Sequence, residues 1–271
     1  MRLDKFLANA GLGSRKEVKA ILKQGRVTVN DILVKADNRN IDENNDIICI
    51  DTQKITYQEF YYVILNKPSG YVSATLPERH NPPVTDLVSE FAFAKLFPVG
   101  RLDVDTTGTL LLTNNGTLAH RLISPKYHVD KKYYVEVDYT LQKELIFNFE
   151  RGVVIDDTPL LPGKLEIIDE FKAYVTIHEG KYHQIKRMFS HYGYTVLKLD
   201  RVEFAFLYHK DLKLGEYRKL TKEEVNQLIT LVESKWFSLK TIVKNGFFLF
   251  FNKKIAELHI ILFFLEKNML K

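Results

Sequence analysis

Two neighbouring carboxylates, a short segment rich in cations and a pair of adjacent tyrosines are the parts of this 271-residue chain that could do chemistry. Residues 100–116 read Gly-Arg-Leu-Asp-Val-Asp-Thr-Thr-Gly-Thr-Leu-Leu-Leu-Thr-Asn-Asn-Gly. Asp103 and Asp105 lie in a polar, glycine-bounded loop. The apolar run Thr109–Leu112 follows at once and ends at Asn114-Asn115-Gly116, the pattern of a buried strand closed by a turn. A carboxylate on a loop at the mouth of such a strand can face a pocket while the scaffold holds it rigid. To stay ionised there it needs a cation, because desolvation raises a carboxyl pKa and a positive neighbour lowers it. The segment Glu179-Gly180-Lys181-Tyr182-His183-Gln184-Ile185-Lys186-Arg187-Met188-Phe189 can supply one, although alone it fits a surface helix equally well. In Lys131-Lys132-Tyr133-Tyr134-Val135 the alternation of a strand puts Tyr133 and Tyr134 on opposite faces. The histidines are scattered and no Cys/His pair has ligand spacing, so no metal site is expected.

The loop closely resembles the G-R-L-D-x-x-T-x-G signature of the ribosomal small-subunit type of pseudouridine synthase, the RsuA-like family. The resemblance implies that Asp103 is the catalytic nucleophile; Asp105 occupies a variable place in the motif. The segment 179–189 is similar to the family's E-G-x-x-x-Q-[VI]-[KR]-R-M-F string, which makes Lys186 the basic partner of the nucleophile. The K-x-Y-x-V motif falls on Tyr133, implying that this ring stacks on the target base and that Tyr134 does not. Arg101 would reach RNA phosphate or fill the gap left by a flipped base. Lys67 and Pro68 match a K-P-x-G motif that shapes and supports the site. Leu199 and Arg201 match a late L-x-R motif that lines the pocket. Thr109 departs from the pattern, which has an apolar residue after Gly108. The family's reaction breaks the glycosidic bond of a uridine, turns the base and rejoins it through carbon 5. It involves neither redox change nor hydrolysis, so no cofactor is expected.

The N-terminus carries a different signal. Net charge is only +5, a modest excess that points to nucleic acid only where it is clustered. It clusters at Arg2, Lys5, Arg15, Lys16, Lys19, Lys23 and Arg26, opposed locally by Asp4 and Glu17. A first helix is expected over Leu3–Asn9, broken by Gly11-Leu12-Gly13. Ser14 and Glu17 form a capping box for a second helix that runs to about Gln24 and stops at Gly25. A hairpin follows over residues 26–34, turning at Asn30-Asp31. Arg15, Lys19 and Lys23 recur at four-residue spacing on one helical face, which suits a phosphate backbone. The strings R-L-D-K-F-L, G-x-x-S-R-K-E and G-R-V-T-V-N resemble the RNA-binding module named after ribosomal protein S-four, which implies an RNA-binding role for these cations.

These elements predict an α+β protein. Residues 1–58 would form the small N-terminal α/β RNA-binding domain. Residues 59–234 would form a pseudouridine synthase catalytic domain, a mostly antiparallel mixed sheet flanked by helices, without βαβ rhythm. In the first, Cys49, the sole cysteine, reads as a core residue; residues 51–60 read as a polar linker. In the second, Tyr61–Leu65 reads as a strand, Asn66–Gly70 as a tight turn, and Asp86–Leu96 as a short helix. Further helices are expected at Leu118–Ile123, Leu141–Phe149, Tyr182–Ser190 and from Thr221 to about Glu233. Residues 235–271 lie outside the resemblance. Their apolar runs, Phe247–Phe251 and Ile260–Leu265, are too short to span a bilayer; an accessory helix or an extension foreign to the family is expected. With no signal peptide at its start the chain is read as a cytoplasmic monomer. Its partner would be ribosomal RNA, within an assembling small subunit, with no membrane. Tyr182-His183 before Gln184, and the insertion-like Thr158–Pro162, favour 16S-type RNA. The alternatives are a large-subunit synthase, a non-catalytic RNA-binding assembly factor and, more distantly, a membrane-tethered variant.

Overall fold

The computed structural model describes residues 1–36, 38–43, 45–55 and 58–244, with 235–244 as backbone helix only. Contacts divide the chain into two units, Met1–Ile229 and Thr230–Lys271. Within the first unit, two hydrophobic clusters organise the elements.

The N-terminal cluster is built from α1 (Leu3–Asn9), α2 (Arg15–Lys23) and a sheet of β1 (Val27–Val29), β2 (Ile32–Leu33), β3 (Ile48–Ile50) and β4 (Gln53–Ile55) in the order β2-β1-β3-β4. The capping box forms as expected: Glu17 N–H donates to Ser14 Oγ, and Ser14 N–H to Glu17 Oε2 at 2.6 Å. Asn30 and Asp31 both adopt left-handed backbone (φ 51° and 63°), which suits a two-residue hairpin. Leu3, Phe6, Leu7, Val18, Leu22, Val27, Val29 and Ile48 close the core. Two expectations are corrected here. The polar stretch 51–60 is not all linker, because Gln53–Ile55 pairs with β3 across an Asp51-Thr52 turn. As an edge strand it is largely exposed and lacks the apolar alternation that marks a half-buried one. Cys49 is not core: between buried Ile48 and Ile50 it points to the other face and is only half-buried.

The second cluster lies against a sheet that is nine-stranded among the described residues. Its strands are β5 (Tyr62–Lys67), β6 (Phe97–Pro98), β7 (Thr107–Thr113), β8 (Lys131–Val137), β11 (Lys164–Asp169), β12 (Lys172–Ile177), β13 (Val196–Phe204), β14 (Leu207–Tyr208) and β15 (Tyr217–Lys219). The order is β11-β12-β8-β13-β7-β5-β15, with β14 beside β13 and β6 beside β7. A separate hairpin joins β9 (Val154–Ile155) to β10 (Thr158–Pro159), the second strand opening the stretch Thr158–Pro162 read as insertion-like. The β7–β13 pair is parallel; the other pairings among the described strands are antiparallel. This is the mixed, mostly antiparallel α+β sheet expected. The helices are α3 (Gly116–Ile123), α4 (Glu144–Arg151) and α5 (Gln184–His191). Leu145 and Phe149 of α4 and Ile185, Met188 and Phe189 of α5 share one core with Tyr133, Val135 and Val175.

Several boundaries differ from the sequence reading. β5 runs through Asn66 and Lys67, which pair with Thr109 and Gly108, so the turn starts at Pro68. Both side chains are buried yet have acceptors (Leu212 O for Asn66), which lets polar residues sit in a central strand. Residues Val84–Ala94 form 3₁₀ turns with breaks at Val88 and Phe91, not one regular helix; β-branched Val84, Thr85 and Val88 disfavour a longer α-helix. The helix starting at Thr221 is capped as expected, but α6 (Lys222–Lys244) outruns the expected end near Glu233. No Gly or Pro interrupts 222–244. Of the tail reading, residues 245–271 lie outside the described residues. Among the described residues no helix is long and apolar enough to cross a membrane.

Candidate active site

The loop 100–106 is positioned by what flanks it. β7 starts immediately after it, and at Gly108 the neighbouring strand comes so close that a Cβ would stand 2.5 Å from the Arg201 carbonyl oxygen. Gly108 also has φ +104°, so glycine is required here twice over. This close approach aligns Arg201 with Gly108 in the parallel pairing and brings Leu199 and Arg201 beside the loop.

Lys67 holds the loop from behind. Its Nζ is fully buried and donates to the carbonyls of Pro68 (3.0 Å), Val104 (3.1 Å) and Thr106 (2.9 Å). Burial pushes its pKa from 10.5 down to about 8, while the charges of Asp105 and Asp103 work in the opposite direction. Gly70 N–H also donates to Val104 O, and Thr106 N–H to Asp103 O. Ser73, which sequence reasoning missed, closes the other end. Its buried hydroxyl accepts from Leu102 N–H and donates to Leu102 O, both at 3.0 Å. A serine among loop residues carries no sequence signal for that role. Pro68 is half-buried beside Lys67.

Asp103 stands partly open to a cleft of about 850 Å³, with a small recess behind it. Tyr133 and Leu199 line that recess, both buried. Along β8, Lys131, Tyr133, Val135 and Val137 face inward, whereas Lys132, Tyr134 and Glu136 face outward. Tyr134 donates its hydroxyl to Glu136 at 2.7 Å, away from the cleft. Burial, then that carboxylate, push its pKa up to about 12. Arg201 is 2% exposed; its Nε donates to Thr109 O at 2.7 Å and its guanidinium lies 5.1 Å over the Phe204 ring. Its Nη2 is buried without a hydrogen-bond partner among the described residues.

Lys186, on α5, is nearest to Asp105, with Nζ 2.6 and 2.8 Å from its two oxygens and 3.4 Å from Asp103 Oδ2. The cation is thus shared by both carboxylates, where the sequence reading gave it to Asp103 alone. Burial favours the neutral form of Asp105, but Lys186 and then His183 outweigh it and hold Asp105 below the usual carboxylate range. His183 Nε2 lies 3.6 Å from Asp103 Oδ1. Glu179 and Gln184 fix the start of α5. Glu179, buried, accepts from Leu161 N–H (2.8 Å) and Gln184 Nε2 (3.0 Å), and Gln184 accepts from Lys181 N–H (2.9 Å). Arg187 is paired with Asp156 in the β9–β10 turn, which ties that hairpin to α5. Arg101 is on the cleft rim, paired through both terminal nitrogens with Glu78. Among the described residues no group of three His, Cys, Asp or Glu side chains is placed to hold a metal ion.

Of the N-terminal cations, Arg2, Lys5, Arg15, Lys16 and Lys19 surround one surface hollow of about 600 Å³ between α1 and α2. Lys23, two turns of helix beyond Lys16, and Arg26 do not border it. Arg26 is instead paired with Asp51, which raises the guanidinium pKa and lowers the carboxyl's. Arg2 is bound through two nitrogens to Asp4.

The cleft thus holds a carboxylate on a tethered loop, a cation shared with a second carboxylate and a buried tyrosine. The family model for RNA pseudouridylate synthase matches residues 61–191, and that of the S4 domain residues 1–47. The chain is 43% identical over 234 residues to the uncharacterized RNA pseudouridine synthase YtzG of Bacillus subtilis, covering 84% of this chain and 98% of that one. The chain belongs to the pseudouridine synthase family. It is likewise 37% identical over 238 residues to ribosomal large subunit pseudouridine synthase B of Bacillus subtilis (86% and 97% covered). With ribosomal small subunit pseudouridine synthase A of Vibrio cholerae it shares 40% over 230 residues (83% and 98%). A crystal structure of a pseudouridylate synthase matches with a TM-score of 0.59 at 36% identity, covering 84% of this chain and 99% of that one. The protein is therefore an isomerase of the RsuA-like group, with an RNA-binding S4 domain at its N-terminus.

Proposed function

We propose that this pseudouridine synthase isomerises a specific uridine of small-subunit ribosomal RNA, with Asp103 as the nucleophile. The placement of Asp103 carries this reading. It is the carboxylate that reaches both the open cleft and the recess lined by Tyr133 and Leu199, while Asp105 lines the cleft alone. In the reaction the uracil N1–C1′ bond breaks, the base turns, and a C5–C1′ bond forms. The C5 hydrogen leaves to solvent as N1 takes a proton, so the product is an isomer and no other reactant is consumed. Lys186 sets its ammonium 3.4 Å from Asp103 Oδ2; Tyr133 offers a face to the base; Leu199 walls the recess and Arg201 the cleft beside it. The domain division at residues 58 and 234 goes with this reading, the basic hollow of α1 and α2 gripping phosphates. The chain would act as a cytoplasmic monomer on an assembling subunit.

The small-subunit preference is supported by Tyr182-His183 ahead of Gln184, and by relatives named for small-subunit RNA. The large-subunit reading is favoured by one specific observation, the 37% identity to synthase B over nearly its whole length. Mapping pseudouridines in ribosomal RNA from cells with and without this protein tests both. One site lost from 16S-type RNA supports the proposal; a loss confined to 23S-type RNA replaces it with the second.

A further inference from the structure

Tyr182 and His183 stand at the mouth of the cleft, and no role above uses the tyrosine. Their rings are stacked, with centroids 3.8 Å apart and planes 16° from parallel. Tyr182 is 77% exposed, so the stack leaves a broad aromatic face to solvent. His183 adopts left-handed backbone (φ 48°) as the residue that leads into α5. That conformation is uncommon for a residue other than glycine. It swings the ring so that one edge nears Asp103, at 3.6 Å, while its face carries Tyr182. The stack therefore starts at the carboxylate and runs outward along the cleft. At about 850 Å³ the cleft is near the upper end of small-molecule sites, about 300–1,000 Å³, so it has room beyond one uridine.

We propose that the Tyr182–His183 stack is a platform for the nucleobase next to the target uridine. This rests on the reading of Asp103 as the centre of uridine isomerisation. Drawing the uridine into the recess strips its neighbour of a stacking partner, and an exposed aromatic face restores one. The chemistry here suits a base better than a phosphate. Arg101 is engaged by Glu78, and Lys181 donates to the Pro159 carbonyl at 2.9 Å. Every base has a π-face, so the platform would tolerate several neighbours and favour purines, whose rings overlap it most.

Tyr182→Ala and Tyr182→Phe test this in the full-length protein. Two readouts are used: tritium release from 16S and 23S transcripts carrying 5-tritiated uridine, and fluorescence of two pentaribonucleotides with a central uridine and 2-aminopurine on its 5′ or its 3′ side. Tyr182→Ala should raise KM about tenfold with kcat within about twofold of wild type, from the loss of one stacked base. Tyr182→Phe should match wild type in both. One of the two pentanucleotides should be quenched by wild type and Tyr182→Phe, and not by Tyr182→Ala. Wild-type KM and wild-type quenching in Tyr182→Ala would overturn the platform alone. A wild-type protein that releases tritium from neither transcript would overturn the function it rests on, and the platform with it.

Discussion

Replacing Lys67 by methionine separates the burial of a charge from the positioning of a loop. All three ammonium hydrogens are used, on the carbonyls of Pro68, Val104 and Thr106. Methionine has comparable length and no charge. Val104 O keeps the Gly70 N–H at 2.9 Å, while the other two carbonyls lose this donor. Two buried acceptors so deprived cost about 2–6 kcal/mol, at about 1–3 each. Against that, burial has pushed Lys67 from 10.5 to about 8, so deleting the charge returns about 3 kcal/mol. The two effects largely cancel, and Lys67→Met should change global stability by at most about 3 kcal/mol. The loop that bears Asp103 nevertheless loses its anchor. A displacement of about 1 Å at a reacting group costs about a hundredfold, so kcat should fall by about that factor while KM changes far less. The pH dependence has a definite sign. The folded-state pKa lies below the unfolded one, so between pH about 8 and 10.5 the unfolded chain holds more protons. Lys67 therefore adds stability as pH rises through that window. Over the same window the neutral amine has two hydrogens for three carbonyls. Wild-type kcat should decline above about pH 8, and the methionine variant should lack that limb. Urea unfolding and single-turnover tritium release measure the two quantities. Wild-type kcat in Lys67→Met would refute the positioning role, and destabilisation beyond about 4 kcal/mol would refute the cancellation.

Other outcomes follow from the same geometry. Tyr133→Phe should keep near-wild-type tritium release, whereas Tyr133→Leu should lose about 10- to 100-fold in kcat/KM at temperatures where both are folded; equal activity of the two would make Tyr133 a packing residue only. Arg15→Ala with Lys19→Ala should weaken binding of a ribosomal transcript and make log affinity against log salt shallower by up to about 0.7–0.9 per residue. An unchanged slope in filter binding would mean that the hollow between α1 and α2 does not hold phosphate.

How far the sequence discloses the fold depends on whether burial and periodicity coincide. α1, the Ser14–Glu17 box, the Asn30-Asp31 turn, β7 and β8 follow from apolar spacing and turn chemistry, because most of their buried residues are apolar, Asp4, Thr109, Thr113 and Lys131 being the polar exceptions. β4, β14 and β15 escape that reading, since short edge strands bury little and are specified by partners far along the chain. β5 is misjudged at its end for the opposite reason: Asn66 and Lys67 are polar yet buried, with acceptors supplied by residues 104, 106 and 212. At the site, motifs indicate Asp103, Tyr133, Lys186, Leu199 and Arg201, and the structure gathers all five around one cleft. Motifs could not show that Lys186 lies closer to Asp105, that Ser73 ties down Leu102, or that Glu78 occupies Arg101, because these are distances between segments with no sequence pattern linking them.

The assignment of the nucleophile is tested most directly by comparing Asp103→Asn with Asp105→Asn. Both changes are nearly isosteric and both remove a carboxylate that touches Lys186. Tritium release from a 5-tritiated ribosomal transcript should fall at least about a thousandfold in Asp103→Asn, with RNA binding retained, and stay within about tenfold of wild type in Asp105→Asn. Wild-type turnover by Asp103→Asn, or the large loss appearing in Asp105→Asn instead, would contradict it.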